Sequence, residues 1–400
     1  MIMELVRIGI LSDLHTWSWA GCEDLWAALA VSALASGHQV DIFLNRTNVP
    51  AAKLRNLVAK GARVYLPEGW PAIPDRVRAI TWRLGHKAER FFRRFGKLAQ
   101  LAPDILFINL GDPLPTELFL DQVASSRLLE RPYVVACHNS YLFGEPPPDA
   151  HRSAAARLFQ GARAVFFMAR RTHREVEHML ATRIERVHIV RNPVGMSDTS
   201  AVPMPTVDSL RLATVGRIHN NSKGGDILLA ALGCRDWKDR DWKLTIYGEG
   251  PHRHLLRVLA EHYGVGDRVT FGGYSNDIRA IWGENHLLAL PSRNESAPIV
   301  LVEAMVCGRP SVVTDVGGVC EWVSEPETAF VAPGAQIDCY AAALERAWQA
   351  RSDWPAIGAR ARERALQLMD PDPGGTLLGH ITRAAEGTRR AAAPSVRRGA

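Results

Sequence analysis

Residues 286–318 restrict the fold more than any other stretch of the chain. The apolar run Leu287 to Leu290 has the length of a buried strand. Pro298 then stands where a helix can begin, and Gly308 stands where that helix can end. A second apolar run follows the glycine. The stretch therefore predicts strand, loop, helix and strand, the repeating unit of a parallel α/β sheet.

The predicted order of strand, loop and helix also gives the positions of two carboxylates. Glu295 falls in the loop at the carboxyl end of a parallel strand, and Glu303 lies one and a half turns into the following helix. Ligands of open α/β sheets bind outside the carboxyl ends of the strands, where a helix N-terminus offers amides to an anion. The amides of Ile299 and Val300 are suited to a phosphate and the carboxylates to hydroxyls. That combination indicates a sugar nucleotide.

The same alternation of strand and helix runs through the whole chain. Strand-length apolar runs lie at 7–12, 39–44, 62–66, 104–109, 132–137, 164–167, 187–190, 211–215, 243–247, 268–271, 287–290 and 329–331. Each is followed by helix-like or loop sequence, which predicts an α/β protein with doubly wound parallel sheets. Four hundred residues exceed what one hydrophobic core usually serves. We therefore expect two domains.

A polar, proline-containing stretch marks the predicted domain boundary. It runs from Ser197 to Asp208 and has no apolar periodicity. The predicted domains are residues 1–196 and 197–368, followed by a C-terminal segment, 369–400. The end of that segment, from Arg389, is rich in Ala, Arg and Pro, and we expect it to be disordered.

Two basic residues follow the first strand of the second domain. Arg217 comes directly after Gly216, and Lys223 precedes the glycines that open a helix. Both are thereby delivered to the same strand-end crevice as Glu295. Two cations in that position can neutralise a departing diphosphate.

Composition limits the partners and the compartment. The formal charge of +6 and the pI near 9.1 favour anionic partners. The six cysteines form no Cys-x-x-Cys pair, which argues against a zinc site and favours reduced thiols. The N-terminus lacks the pattern of a signal peptide, and no apolar run approaches the length of a membrane span. We therefore expect a cytoplasmic protein.

One segment is strongly basic. Residues 76–97 contain eight Lys or Arg and one Glu, interleaved with Trp82, Phe91, Phe92 and Phe95. Such a segment is suited to peripheral contact with an anionic membrane surface, here the inner face. A helix with its aromatic residues inward and a solvated basic face explains the same pattern.

The block from Glu295 to Glu303, with Ala304-Met305 and Cys307-Gly308-Arg309-Pro310 after it, resembles the donor-site signature of a large family of retaining glycosyltransferases. That family, GT4-like, includes sucrose synthases and bacterial mannosyl- and glucosyltransferases. The resemblance implies the GT-B fold, two Rossmann-like domains facing each other across a deep cleft. It further implies a nucleoside-diphosphate sugar donor in the second domain and a glycan, lipid-linked or small-molecule acceptor in the first. Front-face attack with retention, and no metal or cofactor, are also implied.

The resemblance extends to individual residues. It implies catalytic roles for His138, Arg217, Lys223 and Glu295. The donor contacts that it implies are Gly21, Gly216, Arg217, Lys223, Gly248, Tyr274, Glu295, Pro298, Ile299, Val300 and Glu303. For the acceptor, the corresponding residues of the first domain are Asp13, His15, Trp17 and Asn139.

Other functions stay open at this point. A nucleotide-sugar hydrolase or epimerase on the same fold would carry the same motifs, and so would an inactive sugar-nucleotide-binding subunit. An inactive subunit need not keep all of Arg217, Lys223, Glu295 and Glu303. Nucleic acid is not an expected partner, because the basic residues are concentrated in one segment and no recognition module is present.

Overall fold

The computed structural model describes residues 5–13, 19, 21–44, 51–65, 100–140, 147–207 and 209–392. The chain forms two compact units. The first consists of the residues up to Pro193 together with those from Asp370 onward, and the second is Val194–Met369. The second unit thus begins close to the boundary that the polar linker predicts.

The first unit is built on a parallel sheet. Its strands are β1 (Arg7–Ser12), β2 (Gln39–Leu44), β3 (Arg63–Tyr65), β4 (Ile105–Leu110), β5 (Tyr133–Cys137), β6 (Val165–Phe167) and β7 (Val187–Ile189). They lie in the order β3-β2-β1-β4-β5-β6-β7, and every pair is parallel. The central strand β4 is buried along its whole length, which is typical of a sheet covered on both faces.

Helices connect these strands. They are α1 (Gly21–Ala35), α2 (Ala51–Ala59), α3 (Glu117–Ser125), α4 (Asp149–Gly161) and α5 (Arg170–Leu180). A 3₁₀ turn covers Leu128–Glu130. Gly37 follows α1 with φ 83°, a conformation that favours glycine, and so closes the helix.

The second unit repeats this architecture. Its strands are β8 (Leu210–Val215), β9 (Trp242–Tyr247), β10 (Val269–Gly273), β11 (Leu287–Leu290), β12 (Ser311–Thr314) and β13 (Phe330–Ala332). The order is β10-β9-β8-β11-β12-β13, again with parallel pairs. Strand order reverses direction beside β8, so β8 and β11 flank the point where ligands of such sheets bind. The predicted doubly wound α/β class is confirmed for both units.

The helices of the second unit include one that the sequence placed between Pro298 and Gly308. They are α6 (Asn220–Lys223), α7 (Gly225–Leu232), α8 (Arg235–Lys238), α9 (Arg253–His262), α10 (Ile278–Glu284), α11 (Ile299–Val306), α12 (Val319–Trp322), α13 (Ile337–Gln349) and α14 (Trp354–Leu368). Two 3₁₀ turns cover Gly266–Arg268 and Arg351–Asp353. The helix α11 begins and ends where the proline and glycine predict.

A buried arginine fastens the polar linker to the second unit. Arg309 is 1% exposed, and its guanidinium donates to the carbonyl oxygens of Val202 at 2.9 Å and Pro203 at 2.6 Å. It also donates to carbonyls near the ends of α10 and α11. Burial lowers the pKa of Arg309 to about 10. A buried cation without hydrogen-bond acceptors would be costly, so the linker carbonyls that accept from Arg309 are held in place. The linker therefore belongs to the second unit.

The C-terminal segment returns to the first unit as α15 (Pro373–Ala392). It packs against α1, and Gly374 permits the close approach because a Cβ there would lie 2.5 Å from the carbonyl oxygen of Ala28. The sequence predicted disorder from Arg389, but the helix continues to Ala392. Residues 393–400 lie outside the described part of the chain.

Candidate functional site

The predicted basic residues of the second unit lie on a loop shaped by glycine. Gly216 ends β8 with φ 143°, in the region that favours glycine. A Cβ on Gly248 would lie 1.9 Å from the carbonyl oxygen of Gly216, so only glycine allows the loops after β8 and β9 to touch. The backbone amide of Ile218 donates to the carbonyl oxygen of Glu249 at 3.0 Å. The two loops therefore form one edge of the site.

A second close approach brings Lys223 toward the loop after β11. Gly224 has φ 64°, and a Cβ there would lie 2.0 Å from the carbonyl oxygen of Pro291. The amide of Arg293 donates to the carbonyl oxygen of Ser222 at 2.8 Å. The end of α6 is thus pressed against the loop that carries Glu295.

Lys223 and Glu295 form an ion pair across these loops. The Nζ of Lys223 contacts Oε1 of Glu295, and Oγ of Ser292 donates to the same carboxylate oxygen at 2.8 Å. The Glu295 side chain is buried, whereas Lys223 is 27% exposed. Residues 72 positions apart in the chain therefore meet, as the sequence predicted from their strand-end positions. A buried carboxylate needs such a partner.

A further ion pair braces the same loops, and sequence reasoning missed it. Arg293 donates to both carboxylate oxygens of Asp226, at 2.7 and 2.8 Å, and to the carbonyl oxygen of Asn220 at 2.8 Å. Bidentate geometry of this kind fixes orientation as well as charge. Arg293 directly follows Pro291-Ser292 in the loop after β11. That position, close to Glu295, was the sequence signal from which a role in this site could have been predicted.

The loop before α11 is held by the Gly-Gly pair that follows β12. Gly317 has φ 50°, and a Cβ there would lie 1.6 Å from the carbonyl oxygen of Glu295. The amide of Gly318 donates to the carbonyl oxygen of Ser296 at 2.6 Å. Both contacts fix the backbone that carries the Glu295 side chain and leads into Pro298.

Pro298 precedes the first residue of α11 and provides no side-chain cap. The first amides of a helix, here those of Ile299 and Val300, have no acceptor within the helix. Glu303 lies further along the same helix and is buried. The positive end of the helix and two carboxylates, Glu295 and Glu303, therefore belong to one short segment.

A pocket lies at the end of β8. Its lining includes the predicted residues Gly216, Arg217 and Lys223. It also includes His219, which sequence reasoning did not select. Tyr274, a predicted donor contact, follows β10 and is 77% exposed, and it is not among the residues that line this pocket.

Three polar residues meet at the strand ends of the first unit. His138 follows β5, and its Nε2 lies 2.9 Å from Oδ1 of Asn109, whose Nδ2 donates to Oγ of Ser12 at 3.3 Å. Burial lowers the pKa of His138 to about 3. The imidazole is therefore neutral at physiological pH and donates from Nε2 to the amide oxygen.

The other residues predicted for the first unit lie near that sheet edge or outside the described chain. Asp13 follows β1 and is buried, Asn139 is half-buried, and Gly21 is the first residue of α1. His15 and Trp17, together with the basic segment 76–97, lie outside the described residues. Burial raises the pKa of the Cys137 thiol well above its usual range. A thiolate nucleophile at that position is therefore disfavoured.

Within the described ranges, no three or more His, Cys, Asp or Glu side chains are grouped so that they could hold a metal ion. Nor does any described helix have the length and apolarity needed to cross a membrane.

Residues 209–350 match the protein family described as "Glycosyl transferases group 1". An alpha-D-kanosaminyltransferase of Streptomyces kanamyceticus is 29% identical over 263 residues, which cover 61% of this chain and 67% of the relative. A GDP-mannose-dependent alpha-(1-6)-phosphatidylinositol monomannoside mannosyltransferase of Mycobacterium tuberculosis is 34% identical over 150 residues. That match covers 35% of this chain and 39% of the relative, so it spans well under two thirds of that protein.

Solved structures share this fold. HepE of Anabaena in complex with UDP-glucose superposes with a TM-score of 0.70 at 18% sequence identity. The superposition covers 96% of this chain and 100% of the HepE chain. At that identity the likeness establishes the fold and leaves the ligand of this chain open.

Proposed function

We propose that this chain is a group 1 glycosyltransferase with the GT-B fold and moves a hexose-type sugar from a nucleoside-diphosphate sugar to an acceptor hydroxyl. The observation that carries the proposal is the meeting of Lys223 and Glu295, beside Arg217, at the carboxyl edge of the second sheet. The Lys223 ammonium, suited to the leaving diphosphate, and the Glu295 carboxylate, suited to sugar hydroxyls, are in direct contact.

The donor phosphates would be bound by Arg217 and Lys223. Both line the pocket at the end of β8, together with Gly216. As the bond to the sugar breaks, negative charge grows on the diphosphate, and two fixed cations stabilise that charge without reorganisation. The amides at the start of α11 are suited to the same anion. The proposed reaction needs no metal or cofactor, because protein groups supply the positive charge.

The carboxylates would orient the donor. Glu295 is on the loop and would accept hydrogen bonds from sugar-ring hydroxyls, whereas Glu303 within α11 would accept them from the ribose. Before the donor arrives, Lys223 neutralises the buried carboxylate of Glu295. A diphosphate would then share Lys223 with Glu295, which places phosphate and sugar on either side of one ammonium group.

The first unit would bind the acceptor through its own strand ends. His138, Asp13 and Asn139 are the described residues proposed there. Because the neutral His138 donates from Nε2 to Asn109, its ring is oriented by that bond. We propose front-face attack with retention of configuration, with the leaving phosphate helping to accept the acceptor proton. Exclusion of water would limit hydrolysis of the donor.

Product analysis tests the proposal. Purified protein is incubated with UDP-glucose, GDP-mannose, ADP-glucose or a TDP-sugar, with and without sugar, lipid-linked and small-molecule acceptors. We expect one donor to yield a new glycoside with retained anomeric configuration and one equivalent of nucleoside diphosphate. Release of free sugar regardless of acceptor would instead assign a hydrolase, and recovery of an isomerised nucleotide sugar would assign an epimerase.

Peripheral contact with an anionic membrane is proposed from the basic segment 76–97 alone. Its charge should add about 1 kcal/mol of attraction per basic residue near the surface, and salt should weaken it. Sedimentation with vesicles containing anionic lipid is the measurement, and a variant with Arg90, Arg93 and Arg94 changed to Gln is the control. Equal sedimentation of both proteins, or none by either at low salt, would contradict the membrane contact.

A further inference from the structure

Two histidines stand together beside the proposed diphosphate site, and the proposed function uses neither. The rings of His219 and His252 stack with centroids 5.1 Å apart and planes 15° from parallel. His219 lines the same pocket as Arg217 and Lys223. A histidine that faces a site for an anion can supply a positive charge if its ring gains a proton.

The hydrogen bond of His252 fixes which nitrogen carries its proton. Nδ1 of His252 accepts from the backbone amide of Asn220 at 2.9 Å. A nitrogen that accepts has a lone pair, so the neutral ring carries its hydrogen on Nε2. This bond ties the residue before α9 to the first residue of α6.

The bonds of His219 lead to the opposite tautomer. Its Nδ1 lies 3.1 Å from Oγ of Ser222, and that hydroxyl also donates to the carbonyl oxygen of His219 at 3.3 Å. Because the single hydroxyl hydrogen is directed to the carbonyl, Nδ1 donates to Oγ. The neutral ring then has its lone pair on Nε2. Protonation of Nε2 would preserve both of these bonds with Ser222.

Charges around His219 keep the ring neutral before a ligand binds. Burial, the neighbouring His252 ring and the Arg217 guanidinium all lower the pKa of His219. Among the described residues, the charged and titratable groups on neighbouring segments include Arg217, Lys223 with its partner Glu295, Asp226 with Arg293, His252, and Glu249 with Arg253. Each of these carboxylates is already paired with a cation.

We propose that His219 is a third cationic contact for the donor diphosphate and takes up a proton from solvent when the donor binds. The inference rests on the proposed function, because it needs the diphosphate to occupy this pocket. An entering anion favours the charged imidazole, and by linkage a protonated imidazole favours the anion to the same degree. The donor should therefore bind more tightly as the pH falls from about 8 to about 6, where histidine titrates.

Calorimetry measures this uptake directly. UDP-glucose, GDP-mannose and ADP-glucose are titrated in turn into the whole protein near neutral pH, in two buffers of different ionisation enthalpy, such as PIPES and Tris. Both phosphates of a sugar nucleotide are esterified, so the probe lacks the second phosphate ionisation near pH 6. We expect net proton uptake with the sugar nucleotide that binds. Its affinity should rise about fivefold between about pH 8 and about pH 6, the lower end of typical coupling between two bound species.

Two substitutions locate the proton. His219→Asn keeps an amide donor toward Ser222 but cannot titrate, so it should bind the sugar nucleotide without proton uptake and with no gain at low pH. His219→Gln is measured beside it, so that a misfolded variant does not remove the comparison. His254→Asn changes an exposed histidine of α9 and should retain the wild-type uptake.

The outcomes separate this inference from the proposed function. Tight binding without proton uptake in the wild type, or uptake that persists in both His219 variants, would overturn the role of His219 and leave the donor site intact. Failure of every sugar nucleotide to bind at any pH would overturn the proposed function and this inference with it.

Discussion

Each unit carries a short chain of polar side chains at the ends of its central strands, and the two chains differ in charge. In the first unit, the neutral His138 is bonded to Asn109, which is bonded to Ser12. In the second unit, Lys223 and Ser292 both contact the carboxylate of Glu295. Both chains are largely buried, but only the second brings a cation and an anion together.

The difference follows from what each side chain can be paired with. His138 is bonded to an amide and not to a carboxylate, so burial dominates and the ring stays neutral. Glu295 is buried to the same extent but has a lysine partner. The same sheet architecture therefore supplies one neutral, orienting edge and one charged edge that is suited to a phosphorylated ligand.

Of the substitutions considered, removal of the Lys223 ammonium group should have the largest effect on sugar transfer. We expect Lys223→Met to lower the rate of sugar transfer on the order of 100-fold, the scale for losing one contact to charge that develops in the transition state. Steady-state kinetics with the active donor gives the value. Lys243→Met, on the exposed face of β9, is the matched control and should keep wild-type turnover. Equal rates in the two variants would remove Lys223 from the reaction.

Substituting Glu295 and Glu303 separately should distinguish their roles in binding the donor. Each substitution removes a charge-assisted bond of about 1.5 to 3 kcal/mol. Glu303→Ala should weaken binding of both the nucleoside diphosphate and the full donor. Glu295→Ala should impair sugar binding and turnover, while the nucleoside diphosphate binds as well as before or better, because Lys223 loses the carboxylate that competes for it.

Calorimetry with both ligands on both variants decides between these roles, and each variant is the control for the other. Should Glu295→Ala weaken the bare nucleoside diphosphate as strongly as Glu303→Ala does, the sugar does not lie against the loop before α11.

Burial of the neutral His138 should make the free energy of unfolding depend on pH. Between the ordinary histidine pKa of 6.5 and the native value of about 3, the unfolded chain binds a proton at His138 and the native chain does not. Stability should therefore fall as the pH falls through this range, by at most about 1.4 kcal/mol per pH unit. Below about 3 the contribution stops changing.

His138→Gln is the variant that isolates this term, because glutamine keeps an amide donor toward Asn109 and does not titrate. Urea unfolding near pH 7.5 and near pH 5 should show about 2 kcal/mol less acid destabilisation in the variant than in the wild type. Parallel losses in the two proteins would mean that His138 is protonated in the native state.

Local sequence patterns determined the strands of this protein and the edge of the sheet at which its predicted site residues lie. Apolar runs bounded by Gly and Pro predicted the strands, and Leu287–Leu290 was predicted with the observed bounds. The positions of Lys223 and Glu295 after neighbouring strands were enough to predict their meeting, because parallel strands end at one edge of the sheet. Family resemblance added the donor site, and the roles of its residues stay predictions.

Other features depend on contacts between distant segments, and only the tertiary structure decided them. No local pattern of the C-terminal segment states that α15 packs against α1 in the first unit. The burial of Arg309 against the linker and the stacking of His219 on His252 likewise join residues far apart in the chain. Local propensity sets the elements and their ends, whereas long-range packing selects their partners and, through burial, decides which polar groups stay neutral.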